Sequence, residues 1–105
     1  MHCRIEEYTE AGQSPFSEWF NGLAPVTAVR IDRYIRRMES GNFGNARSVG
    51  QGVHELRIAF GPGFRVYFGM HGNTLVILLG GGDKRRQAAD IAAAVARWKR
   101  YKAMR

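Results

Sequence analysis

The sequence predicts an α+β domain: a small antiparallel sheet with an N-terminal helix pair and a basic C-terminal helix, in the order β-αα-βββ-α, with the helices on one face of the sheet. Three observations predict it. Ser14-Pro15 and Pro25 each open a segment whose apolar residues recur at helical spacing. Gly61-Pro62-Gly63 and His71-Gly72-Asn73 separate three β-rich segments by hairpin turns. The chain has 105 residues, enough for one domain over 1–105 with one core.

Each element follows from its residues. Residues 3–9 alternate as a short strand, broken at Gly12. Ser14 supplies an N-cap and Pro15 the first helical position, after which Phe16, Trp19, Phe20 and Leu23 share a face and read as core. Pro25 opens a second helix with Ala28, Ile31, Ile35 and Met38 inward, and Gly41 ends it. The short connection makes the two an antiparallel pair. Residues 42–52, with Gly44 and Gly50, read as a polar loop. Strands follow at 53–60, 64–70 and 74–79, and Gly80-Gly81-Gly82 ends the sheet. Asp83 caps a final helix whose inner face holds Ala88, Ile91, Ala94, Val95 and Trp98.

Composition excludes several classes. Hydrophobic residues are 45% and charged residues 24%, a globular balance. No apolar run approaches the length of a membrane span, and the acidic start lacks a secretory h-region, so a cytoplasmic protein is expected. One cysteine, Cys3, and three scattered histidines offer neither a disulfide nor a zinc site, and no carboxylate cluster offers a divalent-metal site; no metal or cofactor is expected. His54 reads as a packed core histidine and His71 as a turn residue.

Charge is unevenly placed. The net charge is +7, and residues 1–52 balance six arginines against six acids, so the whole excess lies in residues 53–105. Thirteen of the sixteen cations are arginine, whose planar fork matches phosphate. A polyanion partner is implied, nucleic acid first. Strand alternation sets Leu56, Ile58, Val66 and Phe68 toward the core and Glu55, Arg57, Arg65 and Tyr67 toward a wet opposite face. A hairpin centred on Pro62 then puts Arg57 across from Arg65 and Glu55 across from Tyr67. Directly opposed like charges destabilise a sheet, and a phosphate between them removes the repulsion. Lys84, Arg85 and Arg86 fill the first turn after Asp83, where cations oppose the helix dipole and a bound phosphate is favoured. The preceding glycines permit close backbone approach, although the nucleotide P-loop pattern is absent.

These segments, Gly50-Gln51-Gly52-Val53-His54-Glu55-Leu56-Arg57-Ile58, Gly61-Pro62-Gly63-Phe64-Arg65-Val66-Tyr67-Phe68 and Gly80-Gly81-Gly82-Asp83-Lys84-Arg85-Arg86-Gln87, with Ser14-Pro15-Phe16, Trp19 and Gly41-Asn42-Phe43-Gly44, resemble the RelE/ParE superfamily of bacterial type II toxins. The likeness is strongest to the addiction-module killer proteins, which are RelE- and HigB-like. It implies a RelE-like fold and a metal-independent endoribonuclease that cuts messenger RNA, in many relatives on the ribosome. It also implies neutralisation by a cognate antitoxin, usually a helix-turn-helix protein from the same operon. The family's basic positions match Arg57, Arg65 and Lys84, with Arg85 and Arg86 nearby. Where several relatives carry a Tyr or His near the C-terminus, Tyr101 is the candidate here, and Glu55 stands where some relatives carry a base.

Metal-free RNA cleavage uses the ribose 2′-OH against the adjacent phosphorus, and fixed cations stabilise the charge that builds there. The expected assignments are Arg57 and Arg65 on that phosphate and Lys84 as a second phosphate contact or proton-transfer group. Glu55 orients Arg57 or takes the 2′-OH proton. Tyr67 stacks on a base or donates a proton. Arg97, Lys99, Arg100, Lys102 and Arg105 bind RNA backbone without sequence preference. Two other readings share these features: a ParE-like inhibitor of DNA gyrase, for which a phosphate cradle has no use, and a non-catalytic nucleic-acid-binding module.

Overall fold

A computed structural model describes residues 2–104. The elements are β1 (Arg4–Glu7), α1 (Pro15–Asn21), α2 (Pro25–Glu39), β2 (Ala46–Gly50), β3 (Val53–Arg57), β4 (Arg65–His71), β5 (Leu75–Gly82), a 3₁₀ turn (Lys84–Arg86) and α3 (Gln87–Ala103). The sheet has five strands in the order β1-β5-β4-β3-β2.

The helix starts form as their residues dictate. Ser14 Oγ accepts from the Ser17 amide at 3.0 Å, and Pro15 takes the first helical position. Pro25 opens α2, which buries Ile31, Ile35 and Met38 and leaves Arg30, Arg33 and Arg37 exposed.

The sheet differs from expectation in two ways. It is mixed, because β1 runs parallel to β5, with Arg4 beside Leu75 and Glu7 beside Leu78. It also has a strand within 42–52: β2 pairs with β3, and a bulge between Ser48 and Gly50 interrupts its alternation.

The helices lie on both faces rather than one. On one face α1 and α2 pack Phe16, Ile31, Ile35 and Met38 against Leu56, Ile58, Val66, Phe68, Val76 and Leu78. On the other, α3 packs Ala94, Trp98 and Tyr101 against Val53, Tyr67, Ile77 and Leu79. The face expected to be wet is therefore covered by α3.

The triple glycine is part of β5 and serves these packings. A Cβ at Gly81 would collide with the Trp19 ring, one at Gly82 with the Asp90 carboxyl, and one at Gly80 with the Arg97 guanidinium. The backbone there is approached by α1 and α3 side chains, so it is not an open phosphate cradle.

Among the described residues no helix is long and apolar enough to cross a membrane.

Candidate functional site

The β3–β4 register is the one read from Gly61-Pro62-Gly63: Arg57 lies opposite Arg65 and Glu55 opposite Tyr67. The two arginines have different surroundings. Arg57 is exposed, whereas Arg65 is 6% exposed. Arg65 Nε donates to Glu55 Oε1 at 3.0 Å, and its Nη1 donates to the Gly63 carbonyl at 2.6 Å. A guanidinium has five N–H donors, so three remain beyond these two bonds.

Glu55 is the hub. Its side chain is fully buried, and Arg47 Nε reaches Oε2 at 3.0 Å from the edge strand β2. Gln87 Nε2, at the start of α3, lies 3.0 Å from Oε1 and 3.4 Å from Oε2. One carboxylate thus ties β2, β3, β4 and α3 together and fixes the Arg65 fork. The attraction in a buried pair is offset by desolvation, but removing one partner leaves an uncompensated buried charge. Glu55 thus supplies a countercharge to Arg65, one of the two opposed arginines, as a salt-bridge partner on that face would. Its burial and its partners correct two assignments. It is shielded from any substrate proton, and the guanidinium that it orients is Arg65, with Arg47 bound alongside.

Beside this pair a cleft of about 290 Å³ is lined by Asn45, Arg57, Ile58, Ala59, Gly63, Phe64 and Arg65. Lys84 backs onto the same hairpin: its amide lies 3.5 Å from the Pro62 carbonyl, and a Cβ on Gly63 would stand 3.3 Å from Lys84 Cβ. Gly63 has φ +81°, so glycine suits the turn sterically and conformationally.

The cations after Asp83 do not fill the first turn of a helix. They form a 3₁₀ turn that Asp83 caps, accepting from the Arg85 amide at 2.9 Å, and α3 proper starts at Gln87. The Arg85 guanidinium pairs with the Asp83 carboxylate, whose pKa is held below its ordinary value chiefly by that hydrogen bond. The first turn of α3 carries Asp90, so a carboxylate of the chain itself, rather than a phosphate, meets the dipole there. Burial is the main cause raising the Asp90 pKa.

Tyr67 is fully buried, so no base stacks on it. Its hydroxyl has no hydrogen-bond partner among the described residues. Its pKa is pushed up to about 12, first by burial and then by the Glu55 charge.

The α3 cations lie elsewhere. Gln87 touches Glu55 at one end of the sheet, while Tyr101 stacks on Trp98 and meets His71 at the far end of β4. Arg65 and His71 are separated by about 20 Å of strand, at roughly 3.3 Å per residue. Tyr101 is therefore remote from the arginine pair. Arg97 is half-buried and donates to the Leu79 carbonyl at 2.9 Å. Arg100 pairs with Glu10 at 2.9 Å and reaches the Tyr8 hydroxyl at 3.2 Å. Lys102 sits 5.8 Å from the Trp98 ring centre, and Lys99 is exposed. Arg97 and Arg100 thus have partners on the sheet side, Arg97 half-buried and Arg100 still exposed. Arg105 lies outside the described residues. His54 stacks on Phe68 at 5.3 Å, as a packed histidine does.

Residue reasoning missed Arg47 and Gln87. Their signal was Glu55 itself: a carboxylate on a strand buried on both faces requires partners from the neighbouring elements.

The arrangement is an arginine-lined cleft at one end of a mixed sheet, with one arginine locked and one exposed. No protein-family model matches the chain. It is 45% identical over 80 residues to an uncharacterized protein of Haemophilus influenzae, a match that spans 75% of this chain and 81% of that protein. The chain belongs to the same family as that Haemophilus protein.

Proposed function

We propose that this protein is a RelE-like toxin of a type II toxin–antitoxin system and acts as a metal-independent endoribonuclease on messenger RNA, on the ribosome. The observation that carries the reading is the Arg57–Arg65 cleft, in which a buried carboxylate holds Arg65 in a fixed orientation. The arrangement of a mixed sheet between α1–α2 and α3 is compatible with the compact sheet backed by helices that the RelE resemblance implies.

In the proposed mechanism the scissile phosphate enters the cleft. The ribose 2′-oxygen attacks phosphorus as its proton passes to solvent water, the P–O5′ bond breaks, the 5′-oxygen takes up a proton, and the products are a 2′,3′-cyclic phosphate and a 5′-hydroxyl. Charge accumulates on the non-bridging oxygens, where Arg65 needs no reorganisation because Glu55 and the Gly63 carbonyl already hold it. Arg57, exposed at the cleft, closes on the same phosphate. Lys84, beside the Gly63 turn, is a second phosphate contact or the donor to the departing 5′-oxygen. Glu55 acts as a positioning residue. An antitoxin neutralises the protein by laying carboxylates on this basic surface.

The test is incubation of the purified protein with RNA, free and on ribosomes, in EDTA, using a substrate whose integrity does not require magnesium. Cyclic-phosphate ends are expected. Intact RNA with inhibited DNA supercoiling would move the protein to the gyrase inhibitors, and binding without cleavage to the non-catalytic modules.

A further inference from the structure

The arginines of α2 divide into two kinds. Arg36 is bound by carboxylates, Asp32 at 3.5 Å and Glu39 at 3.0 Å. Arg30, Arg33 and Arg37 have no carboxylate within ion-pair distance among the described residues. Two of them lie over rings instead: Arg30 is 4.3 Å from the Phe60 centroid and Arg37 is 4.7 Å from that of Tyr34.

These residues line a connected series of depressions. Val26, Val29, Arg30 and Arg33 form the first, of about 370 Å³. Arg30, Arg33, Tyr34 and Arg37 continue it to Ala59 and Phe60. Ala59 also lines the Arg57–Arg65 cleft, so the series ends there. Along the helix, the steps from Arg30 to Arg33 and from Arg33 to Arg37 rise about 4.5 and 6 Å at 1.5 Å per residue. That spacing suits successive groups on one extended polyanion.

We propose that this face of α2 is the track along which single-stranded RNA reaches the cleft. Arg30, Arg33 and Arg37 neutralise its phosphates, and the guanidinium–ring pairs at Phe60 and Tyr34 offer flat surfaces for unstacked bases. The proposal rests on reading the cleft as the site of RNA cleavage and assigns the approach to α2 in place of α3. The end of α3 lies a sheet length from Arg65, with Arg97 and Arg100 already engaged.

The test measures binding apart from cleavage. A fluorescent, fully 2′-O-methylated single-stranded RNA, which lacks the attacking hydroxyl, is titrated with the full chain by anisotropy over a range of salt. R30Q/R33Q/R37Q is expected to bind more weakly and to reduce the log–log salt slope by about 2, at roughly 0.7 for each phosphate no longer neutralised. R30K/R33K/R37K restores the slope, and unchanged melting of both variants confirms their fold. A Gln variant that keeps the parent's slope overturns the track, as does a parent that fails to bind this RNA. Loss of slope in K99Q/K102Q with retention in the α2 variant overturns it in favour of α3. A Gln variant that keeps RNA but loses an acidic peptide bound by the parent overturns it in favour of a protein-docking face. Cleavage of the matching unmodified RNA is scored separately. Binding through α2 with no cleavage keeps the track and removes the nuclease; cleavage with an α2-independent slope does the reverse.

Discussion

Replacing Arg65 by alanine perturbs folding and chemistry together, and the structure separates the two. Arg65 is buried on Glu55, so its loss leaves a fully buried carboxylate with Arg47 and Gln87 only. A hydrogen bond to a charged group contributes about 1.5–3 kcal/mol, and removing the sole partner of a buried charge costs about 3–5 kcal/mol. With two partners retained, the lower range applies. At roughly 4–5 °C per kcal/mol for a chain of this size, R65A lowers Tm by about 6–15 °C. On the proposed mechanism, loss of the Arg65 transition-state interaction separately slows cleavage about 100–1000-fold, from roughly 2.7–4 kcal/mol. R57A serves as the comparison, since Arg57 is exposed and lines the same cleft. A surface substitution changes stability by only about 0.5 kcal/mol or less, so R57A leaves Tm within a few degrees while still reducing cleavage. The assays are thermal unfolding by circular dichroism, single-turnover RNA cleavage and growth inhibition at matched expression. An unchanged Tm in R65A would refute the buried pair. Full cleavage and toxicity in folded R57A and R65A would refute the cleft as the reacting site.

Other consequences are more local. Tyr67→Phe removes a buried hydroxyl without a described partner, so it keeps Tm or raises it, by up to about 1–3 kcal/mol of stability, and keeps activity; loss of cleavage in a folded variant would restore a proton role to Tyr67. Asp90 has a raised folded pKa, so the native state binds more protons than the unfolded state between the ordinary value of 3.8 and the raised one. Its contribution to stability therefore falls as pH rises through that window, and Asp90→Asn should flatten the slope; an unaltered pH–stability curve contradicts this. Gly69→Ala drives a methyl into the Trp98 ring and should destabilise by about 1–3 kcal/mol, read by denaturant titration, and an unchanged midpoint would show that the ring yields freely. A partner purified from the same operon should reduce RNA binding in proportion to the acidic segment it carries; equal RNA cleavage by the complex and the isolated protein would exclude neutralisation at this face.

The hairpin register and the Ser14 cap were legible because each depends on a few adjacent residues with distinctive turn or capping chemistry. β2 was not, because its bulge leaves Ala46 and Val49 half-buried three residues apart, which breaks the two-residue period that identifies a strand. The covering of both sheet faces had a signal that alternation on β3 alone obscures. Leu75-Val76-Ile77-Leu78-Leu79 is an uninterrupted apolar run, and such runs belong to strands buried on both sides. With both faces covered, Glu55, Arg65 and Tyr67 become interior residues requiring partners. The parallel pairing of β1 was beyond local reading, since nothing in Arg4–Glu7 records which distant strand will accept it.

That pairing sets an order of assembly. Arg4 and Leu75, direct neighbours in the sheet, are 71 positions apart along the chain, whereas Arg47, Glu55, Arg65 and Gln87 lie within one stretch of successive hairpins leading into α3. Contacts between distant segments bear the larger loop-closure entropy and form late, so residues 46–87 are expected to gather first, with β1 sealing the outer edge afterwards. Pulse-labelled hydrogen exchange during refolding should then protect the amides of β3 and β4 before those of β1. The arginine cleft would exist, in outline, on a chain whose first strand is still loose. A refolding molecule would bring Arg57 and Arg65 together before it reached its full stability.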